Sequence, residues 1–316
     1  MSFQRIAVLI PCHNEALPIA KVVADFAKAL PQAVIYVYDN NSTDDTALVA
    51  GAAGAEVRSE PLQGKGNVVR RMFADVEADV YLLVDGDDTY SAAHAPQLVQ
   101  ALLTHSADMV TAVRVSTSDQ AYRPGHVLGN RLLTGLVAWM FGDRVQDMLS
   151  GYRVFSRRFV KSFPALAHGF EIETELTVHA LELRLPMVDV PTPYQERPQG
   201  STSKLRTFRD GFRILGLIVR LVMRERPVLF FGGLAALCAV LAVGLAVPLF
   251  VTYAQTGLVP RFPTAILSAA LMIVCFLLGT VGLILDQVTH ARRETKRLAY
   301  LSHVGPKAPA NSETAG

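Results

Sequence analysis

The chain has 316 residues, of which 51% are hydrophobic and 18% charged, and its mean hydropathy is +0.29. That length accommodates one ordinary domain together with an apolar appendage. A net charge of +2 does not indicate a nucleic-acid-binding protein, and the three cysteines have neither a disulfide framework nor a zinc-type spacing, which suits a reducing compartment. The apolar run at 6–10 is too short for the hydrophobic region of a signal peptide, so none is expected.

Strand-like and helix-like segments alternate through the first part of the chain. Continuous β-rich apolar runs predict buried strands, and the amphipathic segments between them predict helices. The predicted strands are 6–10, 34–38, 56–58, 80–84 and 109–113, and the predicted helices are 18–30, 46–53, 67–77 and 94–104. This alternation is typical of an α/β fold with a mostly parallel, Rossmann-like sheet flanked by helices.

The next segments are less regular. Residues 114–125 are expected to form a mobile loop, and 142–153 a second loop. The patterns predict helices over 130–141 and 173–183 and a strand over 187–190, followed by a loop over 197–204.

Polar clusters follow three of the predicted strands and begin at Pro11, Asp39 and Asp85. The carboxyl ends of parallel strands meet at one edge of a sheet, where ligands bind, so we expect a single site there. The third cluster is Asp85-Gly86-Asp87-Asp88, and neighbouring carboxylates repel unless a positive charge lies between them. Mg²⁺ takes one or two carboxylates plus substrate phosphates. An isolated Asp-x-Asp also fits a solvated turn, but the two other polar strand ends favour the cation.

A basic amphipathic segment follows at 205–226. Five arginines fall within an arc of roughly 60° on a helical wheel at 100° per residue. They are Arg206, Arg209, Arg213, Arg220 and Arg224. A core helix with a solvated face has the same pattern, but we favour a helix in the membrane interface that faces lipid phosphates.

Two uncharged apolar stretches, 228–253 and 264–285, come next. At about 1.5 Å per residue they span roughly 39 Å and 33 Å, enough to cross a bilayer core. Arginines precede the pair and Arg or Lys residues follow it, so the positive-inside rule places both flanks in the cytoplasm. The predicted organisation is an α/β domain over 1–204, an interfacial helix over 205–226, a two-helix transmembrane anchor over 227–290 and a tail over 291–316. The tail is basic at first, then Pro/Ala/Ser-rich from 305 and predicted to be disordered.

Seven short motifs occur in a fixed order along the chain. They are Ile10-Pro11-Cys12-His13-Asn14-Glu15, Asp39-Asn40-Asn41-Ser42-Thr43-Asp44-Asp45-Thr46, Gly64-Lys65-Gly66, Asp85-Gly86-Asp87, Gly129-Asn130-Arg131, Ser150-Gly151-Tyr152-Arg153 and Ser203-Lys204-Leu205. Together they resemble the family 2 glycosyltransferases, which have the GT-A fold. The last three are similar to the polyprenyl-phosphate branch, which includes dolichol-phosphate mannose synthase and bacterial enzymes that glycosylate undecaprenyl phosphate. The resemblance covers about residues 6–205, and the two apolar helices match bacterial members, which implies a bacterial inner membrane.

The resemblance implies a role for each matching position. The residues implied to hold the nucleotide sugar are Pro11, Glu15 and Asp39, with Lys65 nearby and Asp85 against the ribose. Asp87 would ligate Mg²⁺ or Mn²⁺ on the diphosphate. The residues implied to close over that diphosphate are Arg197 and Lys204, and those implied to receive the acceptor phosphate are Arg131, Ser150 and Arg153.

The chain departs from the family pattern in two places. Many relatives follow the metal motif with Leu-Gln and often a Pro, where this chain has Asp88-Thr89-Tyr90. The sugar preference of relatives therefore does not transfer, and Asp88 has no assigned role. The spacing from Arg197 to the Ser-Lys pair is about one residue longer than in some relatives.

The acceptor decides whether a catalytic base is needed. A phosphate monoester is largely dianionic at neutral pH and needs none, whereas a hydroxyl needs a base within hydrogen-bond reach. The candidate bases are Asp88, Asp147 and Glu175, although Glu171, Glu173 and Glu175 also fit the acidic first turn of a helix. We predict inverting, metal-dependent transfer of a hexose from a UDP- or GDP-sugar to polyprenyl (undecaprenyl) phosphate.

Two alternatives remain open. One is a glycosyltransferase of the same fold acting on a hydroxyl of a glycan or glycolipid, and the other is a non-enzymatic membrane adaptor. Processive polysaccharide synthesis is disfavoured because the only tryptophan, Trp139, lies outside any Gln-x-x-Arg-Trp motif. Two-helix anchors often pack together, which leaves a homo-oligomer open.

Overall fold

The computed structural model describes residues 4–116, 135, 137–139, 146–167, 169, 171–195, 216 and 218–306. The chain forms two compact units. The first comprises Met1–Gly211 with Lys296–Gly316, and the second is Phe212–Thr295.

A mixed seven-stranded sheet organises the described part of the first unit. Its strands are β1 (Ile6–Cys12), β2 (Val34–Asp39), β3 (Glu56–Ser59), β4 (Val80–Leu83), β5 (Met109–Ser116), β6 (Arg153–Ser156) and β7 (Met187–Tyr194). They lie in the order β3-β2-β1-β4-β6-β5-β7. The first four are mutually parallel, β6 is antiparallel to both its neighbours, and β5 and β7 are parallel to each other.

Helices cover both faces of this sheet. They are α1 (Ala16–Ala29), α2 (Thr46–Ala52), α3 (Lys65–Asp75), α4 (Ala95–Thr104), α5 (Arg157–Ser162) and α6 (Ile172–Glu182). Alternate residues of β1 enter opposite cores: Val8 and Ile10 pack with residues of α1 and α4, while Ala7 and Leu9 pack with residues of α3, α5 and α6. A strand buried on both faces is apolar throughout, which explains the continuous hydrophobic run at the start of the chain.

The strand register brings the polar clusters to one edge. Cys12 is paired with Asp39, and Leu9 with Leu83, so β1, β2 and β4 end at the same side of the sheet. Because β6 runs antiparallel to β4 and starts opposite Leu83, the residues before Arg153 also lie at this edge. The single edge expected from the sequence is confirmed.

The structure differs from the sequence predictions mainly between β5 and β7. β6 and α5 were not predicted, because a four-residue strand bounded by Arg and Ser carries too short a pattern to stand out from a loop. Residues 114–116, expected in a mobile loop, belong to β5, and β7 continues to Tyr194 through two prolines, which an edge strand tolerates. The predictions for 117–125 and 130–134 lie outside the described residues.

Two long apolar helices dominate the second unit. They are α7 (Pro227–Thr256) and α8 (Phe262–Leu301), both long and apolar enough to be candidate membrane spans, and both mostly exposed along their apolar stretches. α8 continues through 291–301, which the sequence had assigned to the tail, and its residues from Lys296 belong to the first unit. Residues 218–225 are helical, but the predicted arc of five arginines falls largely outside the described residues.

Candidate active site

Four carboxylates lie near enough to Cys12 to affect its pKa, at the carboxyl ends of β1, β2 and β4. They are Glu15, Asp39, Asp85 and Asp87. Burial raises the pKa of the Cys12 thiol, and these four negative charges raise it further. Because residue 86 is a glycine, its backbone can lie close to Cys12; a Cβ there would be 2.6 Å from Cys12 Sγ. The edge is therefore strongly electronegative and suited to a bound cation.

The loops after β1 and β2 form one cradle. The Asn14 N–H donates to Ser42 Oγ (2.9 Å), and the Thr43 N–H donates back to Asn14 Oδ1 (2.7 Å). The Glu15 N–H donates to Thr46 Oγ1 (2.9 Å). Asn14 has a φ of 54°, a left-handed conformation that asparagine tolerates better than most residues. These reciprocal bonds hold Glu15 beside the end of β2.

Asp39 contributes an oxygen that lacks a protein partner. Its Oδ2 accepts the Ser42 N–H at 3.2 Å, whereas its Oδ1 is buried and has no hydrogen-bond partner among the described residues. An unsatisfied buried acceptor is costly and uncommon. A ligand N–H or hydroxyl would satisfy it, which fits the nucleotide-binding role implied for Asp39.

Lys65 joins two carboxylates in the interior of the site. It opens α3, and its ammonium group binds both Asp85 and Glu173. Burial alone would lower the pKa of Lys65, but attraction by Asp85 and Glu173 outweighs it and raises that pKa. The charged Lys65 therefore links Asp85 to Glu173 and holds the Asp85 side chain in place.

Glu173 is a site residue that the sequence did not single out. Its side chain is 7% exposed and contacts Lys65, whereas the favoured Glu175 accepts the Leu166 and Ala167 N–H groups at 3.1 and 2.7 Å. Glu175, one of the three candidate bases, holds the loop at 166–167 with its carboxylate. All three glutamates belong to the same acidic first turn, so only their tertiary surroundings distinguish them.

Gly151, within the motif 150–153, lies directly against the side chain of Asp85. A Cβ at this position would overlap Asp85 Oδ2, so the backbone can approach Asp85 only as glycine. The Gly151 N–H also donates to the Tyr90 hydroxyl at 2.9 Å. The motif 150–153 therefore packs against the carboxylate of Asp85.

Ser150 and Arg153, implied by the family motifs to receive the acceptor phosphate, lie in the interior of the first unit. Both are fully buried. The Arg153 guanidinium donates to Ser150 O (2.9 Å), Met148 O (2.6 Å) and Thr177 Oγ1 (2.7 Å), and Ser150 Oγ donates to Ala112 O at 2.6 Å. These groups are satisfied inside the protein and stabilise the loop before β6, and their role toward an acceptor phosphate stays a prediction.

Asp87 is held by the turn that follows it. It is 4% exposed, and its Oδ1 accepts the Thr89 hydroxyl at 2.6 Å and the Thr89 N–H at 3.3 Å. Asp88 has a φ of 57° and pairs with Lys21 of α1 at 2.7 Å. Among the described residues, no three His, Cys, Asp or Glu side chains converge as a metal cluster. Asp87 therefore fits a cation that takes most of its ligands from a phosphate-bearing substrate.

Asp147, another candidate base, forms a bidentate pair with Arg114. The Arg114 Nε and a terminal nitrogen lie 2.7 and 2.8 Å from its two oxygens. Burial by itself would raise the pKa of Asp147, but the hydrogen bonds and charge of Arg114 outweigh it and lower that pKa. Arg131, Arg197 and Lys204 lie outside the described residues.

Comparison with known proteins assigns the family. The family model for glycosyl transferase family 2 matches residues 7–163. Glycosyltransferase AglJ of Haloferax volcanii is 35% identical over 254 residues, which cover 78% of this chain and 81% of AglJ. The chain belongs to glycosyl transferase family 2.

Two further relatives extend the likeness. The polyprenol monophosphomannose synthase of Mycolicibacterium smegmatis is 26% identical over 224 residues, which cover 62% of this chain and 80% of the synthase. The glucosyl-3-phosphoglycerate synthase of Mycobacterium tuberculosis, solved with Mn²⁺, UDP-glucose and phosphoglyceric acid, has a TM-score of 0.56 and 25% identity, and the match covers 69% of this chain and 79% of that one. This family 2 chain is a glycosyltransferase with a GT-A fold, as the sequence motifs predicted.

Proposed function

We propose that this glycosyltransferase transfers a hexose, with inversion, from a nucleotide diphosphate sugar to a polyprenyl phosphate at a membrane surface. The observation that carries the choice of acceptor is the engagement of every candidate base. Asp88 pairs with Lys21, Asp147 with Arg114, and Glu175 with backbone N–H groups. Carboxylates held in this way are poor bases, and a phosphate dianion needs none.

The nucleotide-sugar donor is assigned to the electronegative edge of the sheet. Asp39 offers its unsatisfied oxygen to the nucleoside, and Asp85, fixed by Lys65, lies beyond the end of β4 on the other side of β1. Asp87 would hold the divalent cation, Mg²⁺ or Mn²⁺, which when bound neutralises charge that develops on the leaving diphosphate. We assign Arg197 and Lys204 to the same diphosphate and Arg131 to the acceptor phosphate, as the family motifs imply.

Membrane anchoring is part of the same proposal. α7 and α8 are candidate spans, and a lipid-linked acceptor is presented at a membrane. Arg224 and Arg226 precede the pair, and Arg292 and Arg293 follow its apolar part. This supports a cytoplasmic catalytic unit in a bacterial inner membrane. The polyprenol monophosphomannose synthase relative supports the choice of acceptor.

The test uses the purified full-length protein in detergent with labelled UDP- and GDP-sugars. Each donor is offered polyprenyl phosphate and, as the matched control, the same polyprenol without its phosphate. We expect a lipid-linked sugar only with the phosphate, only with Mg²⁺ or Mn²⁺, and with inverted anomeric configuration by NMR. Labelling of polyprenol or of a glycan hydroxyl, with no reaction at the phosphate, would overturn the proposal and favour the hydroxyl-acceptor alternative.

A further inference from the structure

The turn Asp88-Thr89-Tyr90, where the chain departs from the pattern of many relatives, has its own set of contacts. Thr89 is 1% exposed, and it gives both its hydroxyl and its backbone N–H to Asp87 Oδ1. This is an Asx turn, in which a side-chain carboxylate is bound by the backbone two residues later. The positive φ of Asp88 reverses the chain so that Thr89 returns to Asp87.

The same turn is attached to the end of β7. The Gln195 N–H donates to Thr89 O at 3.0 Å, and Tyr90 forms an isolated antiparallel bridge with Tyr194. The rings of Tyr90 and Tyr194 pack edge to face with centroids 5.3 Å apart. Thr89 is therefore held by the backbone of β7, next to the packed rings of Tyr90 and Tyr194.

Asp88 makes a different contact from Thr89 and Tyr90. Its carboxylate is paired with Lys21, which also binds Asp25 one helical turn further along α1. Asp88 thereby anchors the outer side of the turn to α1. The turn is held at α1 by Asp88 and at β7 by Thr89, with Asp87 between these two attachments.

We propose that Thr89 is the positioning residue for Asp87: its hydroxyl and N–H hold the carboxylate in one orientation for the cation and the diphosphate. This rests on the proposed role of Asp87 as the cation-binding carboxylate. The physical basis is general, because hydrogen bonds that orient a metal-binding carboxylate commonly affect metal affinity or activity by about 10- to 100-fold. Thr89 does not touch the reacting atoms, so its effect passes through Asp87.

Two variants separate the hydroxyl from the shape of the side chain. Thr89→Val is nearly isosteric and removes the hydroxyl, and Thr89→Ser keeps the hydroxyl and removes the methyl group. Mn²⁺ is titrated into each detergent-solubilised protein with saturating UDP, and in parallel with GDP, and free Mn²⁺ is followed by EPR. Steady-state kcat and the thermal unfolding midpoint are measured on the same preparations.

We expect Thr89→Val to weaken Mn²⁺ binding by about tenfold or more and to lower kcat by a similar factor, while Thr89→Ser stays within about threefold of wild type. Equal Mn²⁺ affinity in wild type and Thr89→Val would overturn the inference. It would also fail if Thr89→Ser were as defective as Thr89→Val, because the methyl packing would then account for the loss. If wild type itself bound no Mn²⁺ with either nucleotide, the metal role of Asp87 would fail, and the positioning role with it.

Discussion

The carboxylates at the two edges of the central sheet have different surroundings. At the carboxyl ends of β1, β2 and β4, four acidic side chains raise the pKa of Cys12, and Asp39 keeps an oxygen without a partner among the described residues. At the opposite edge, Asp108 precedes β5 and is fully buried, but its oxygens accept bonds from Ser156, Arg158 and Tyr300. At the first edge, the carboxylates that Lys65 does not pair favour a ligand cation, whereas the paired charges at the second edge favour the fold.

Helix α6 carries one carboxylate at the site edge and another at the opposite edge. Glu173, in its first turn, lies in the site with Lys65, while Glu182, at its last residue, is fully buried and pairs with Lys296 at 2.7 Å. Lys296 and Tyr300 both come from the end of α8, and the Arg158 guanidinium stacks over the Tyr300 ring at 4.7 Å. The segment from Lys296 is thus an integral part of the catalytic unit. The comparison predicts that changes at the site edge affect turnover and that changes at the opposite edge affect stability.

The largest effect is expected at Asp87. Asp87→Asn should lower kcat by at least about 10²-fold, because the cation loses its protein carboxylate. The unfolding midpoint should stay the same or rise, since one of the negative charges near Cys12 is removed. Turnover with Mn²⁺ and thermal unfolding in detergent measure the two. Asp88→Asn is the matched control and should keep activity within about threefold, because the lysine that Asp88 pairs with, Lys21, is exposed at the surface. Equal losses in both variants would contradict the division of roles.

Gly151 offers a second test at the site edge. Gly151→Ala forces a methyl group against Asp85, and a displacement on the order of 1 Å at a reacting site costs up to about 10²-fold. We expect kcat/KM for the donor to fall by about tenfold or more. Gly51→Ala, whose Cβ would meet only Val57 at 3.7 Å, is the matched control and should be nearly neutral. Wild-type kinetics in Gly151→Ala would show that Asp85 need not be held this tightly.

At the opposite edge the expected effect is on stability. Asp108→Asn replaces an acceptor of several donors by a group that presents N–H to Arg158, and we expect it to cost about 2–3 kcal/mol in the free energy of unfolding. Tyr300→Phe removes one hydrogen bond and should cost about 1 kcal/mol. Urea unfolding in detergent measures both, with Glu77→Gln as a control because Glu77 is a half-exposed partner of Arg157 and Lys161. A loss of kcat in the folded Asp108→Asn protein would contradict the assignment of Asp108 to stability alone.

The last prediction concerns the pH dependence of stability, where the expected effect is smaller than that of Asp108→Asn. His179 of α6 packs against Phe159 and Phe163, and burial, followed by the charge of Lys296, lowers its pKa to about 3, although Glu182 partly opposes the shift. The neutral ring favours the folded state, so this contribution is complete above about pH 6.5 and is lost as the pH falls toward 3. Between pH 7 and pH 5 the loss should be on the order of 1–2 kcal/mol.

His179→Gln is the variant that checks the pH effect. Urea unfolding of wild type and variant at pH 7 and pH 5 should give a smaller difference between the two pH values in the variant. Glutamine keeps a hydrogen-bonding group near Ser162, which lies 3.2 Å from His179 Nε2. An unchanged pH dependence would assign the acid sensitivity to other groups.

The sequence by itself determined the order of strands and helices in the first half of the chain, the polar edge, the family and the two apolar helices. These features are carried by local periodicity and by motifs whose residues act within their own segment. The positions of Asp87 after β4 and of Asp39 at the end of β2 follow directly from where the apolar runs end. The apolar parts of α7 and α8 could also be predicted, because a run of uncharged residues can be recognised without knowing which segments pack against it.

Only the tertiary structure decided which members of each motif face the site. Glu173 and Glu175 belong to one helical turn, yet Lys65 contacts the first and a backbone loop contacts the second. Arg153 is a satisfied buried group because β6 runs antiparallel to β4, and Lys296 docks on Glu182 across 114 residues of sequence. Such contacts depend on charges and hydrogen bonds between distant segments, which no local pattern encodes.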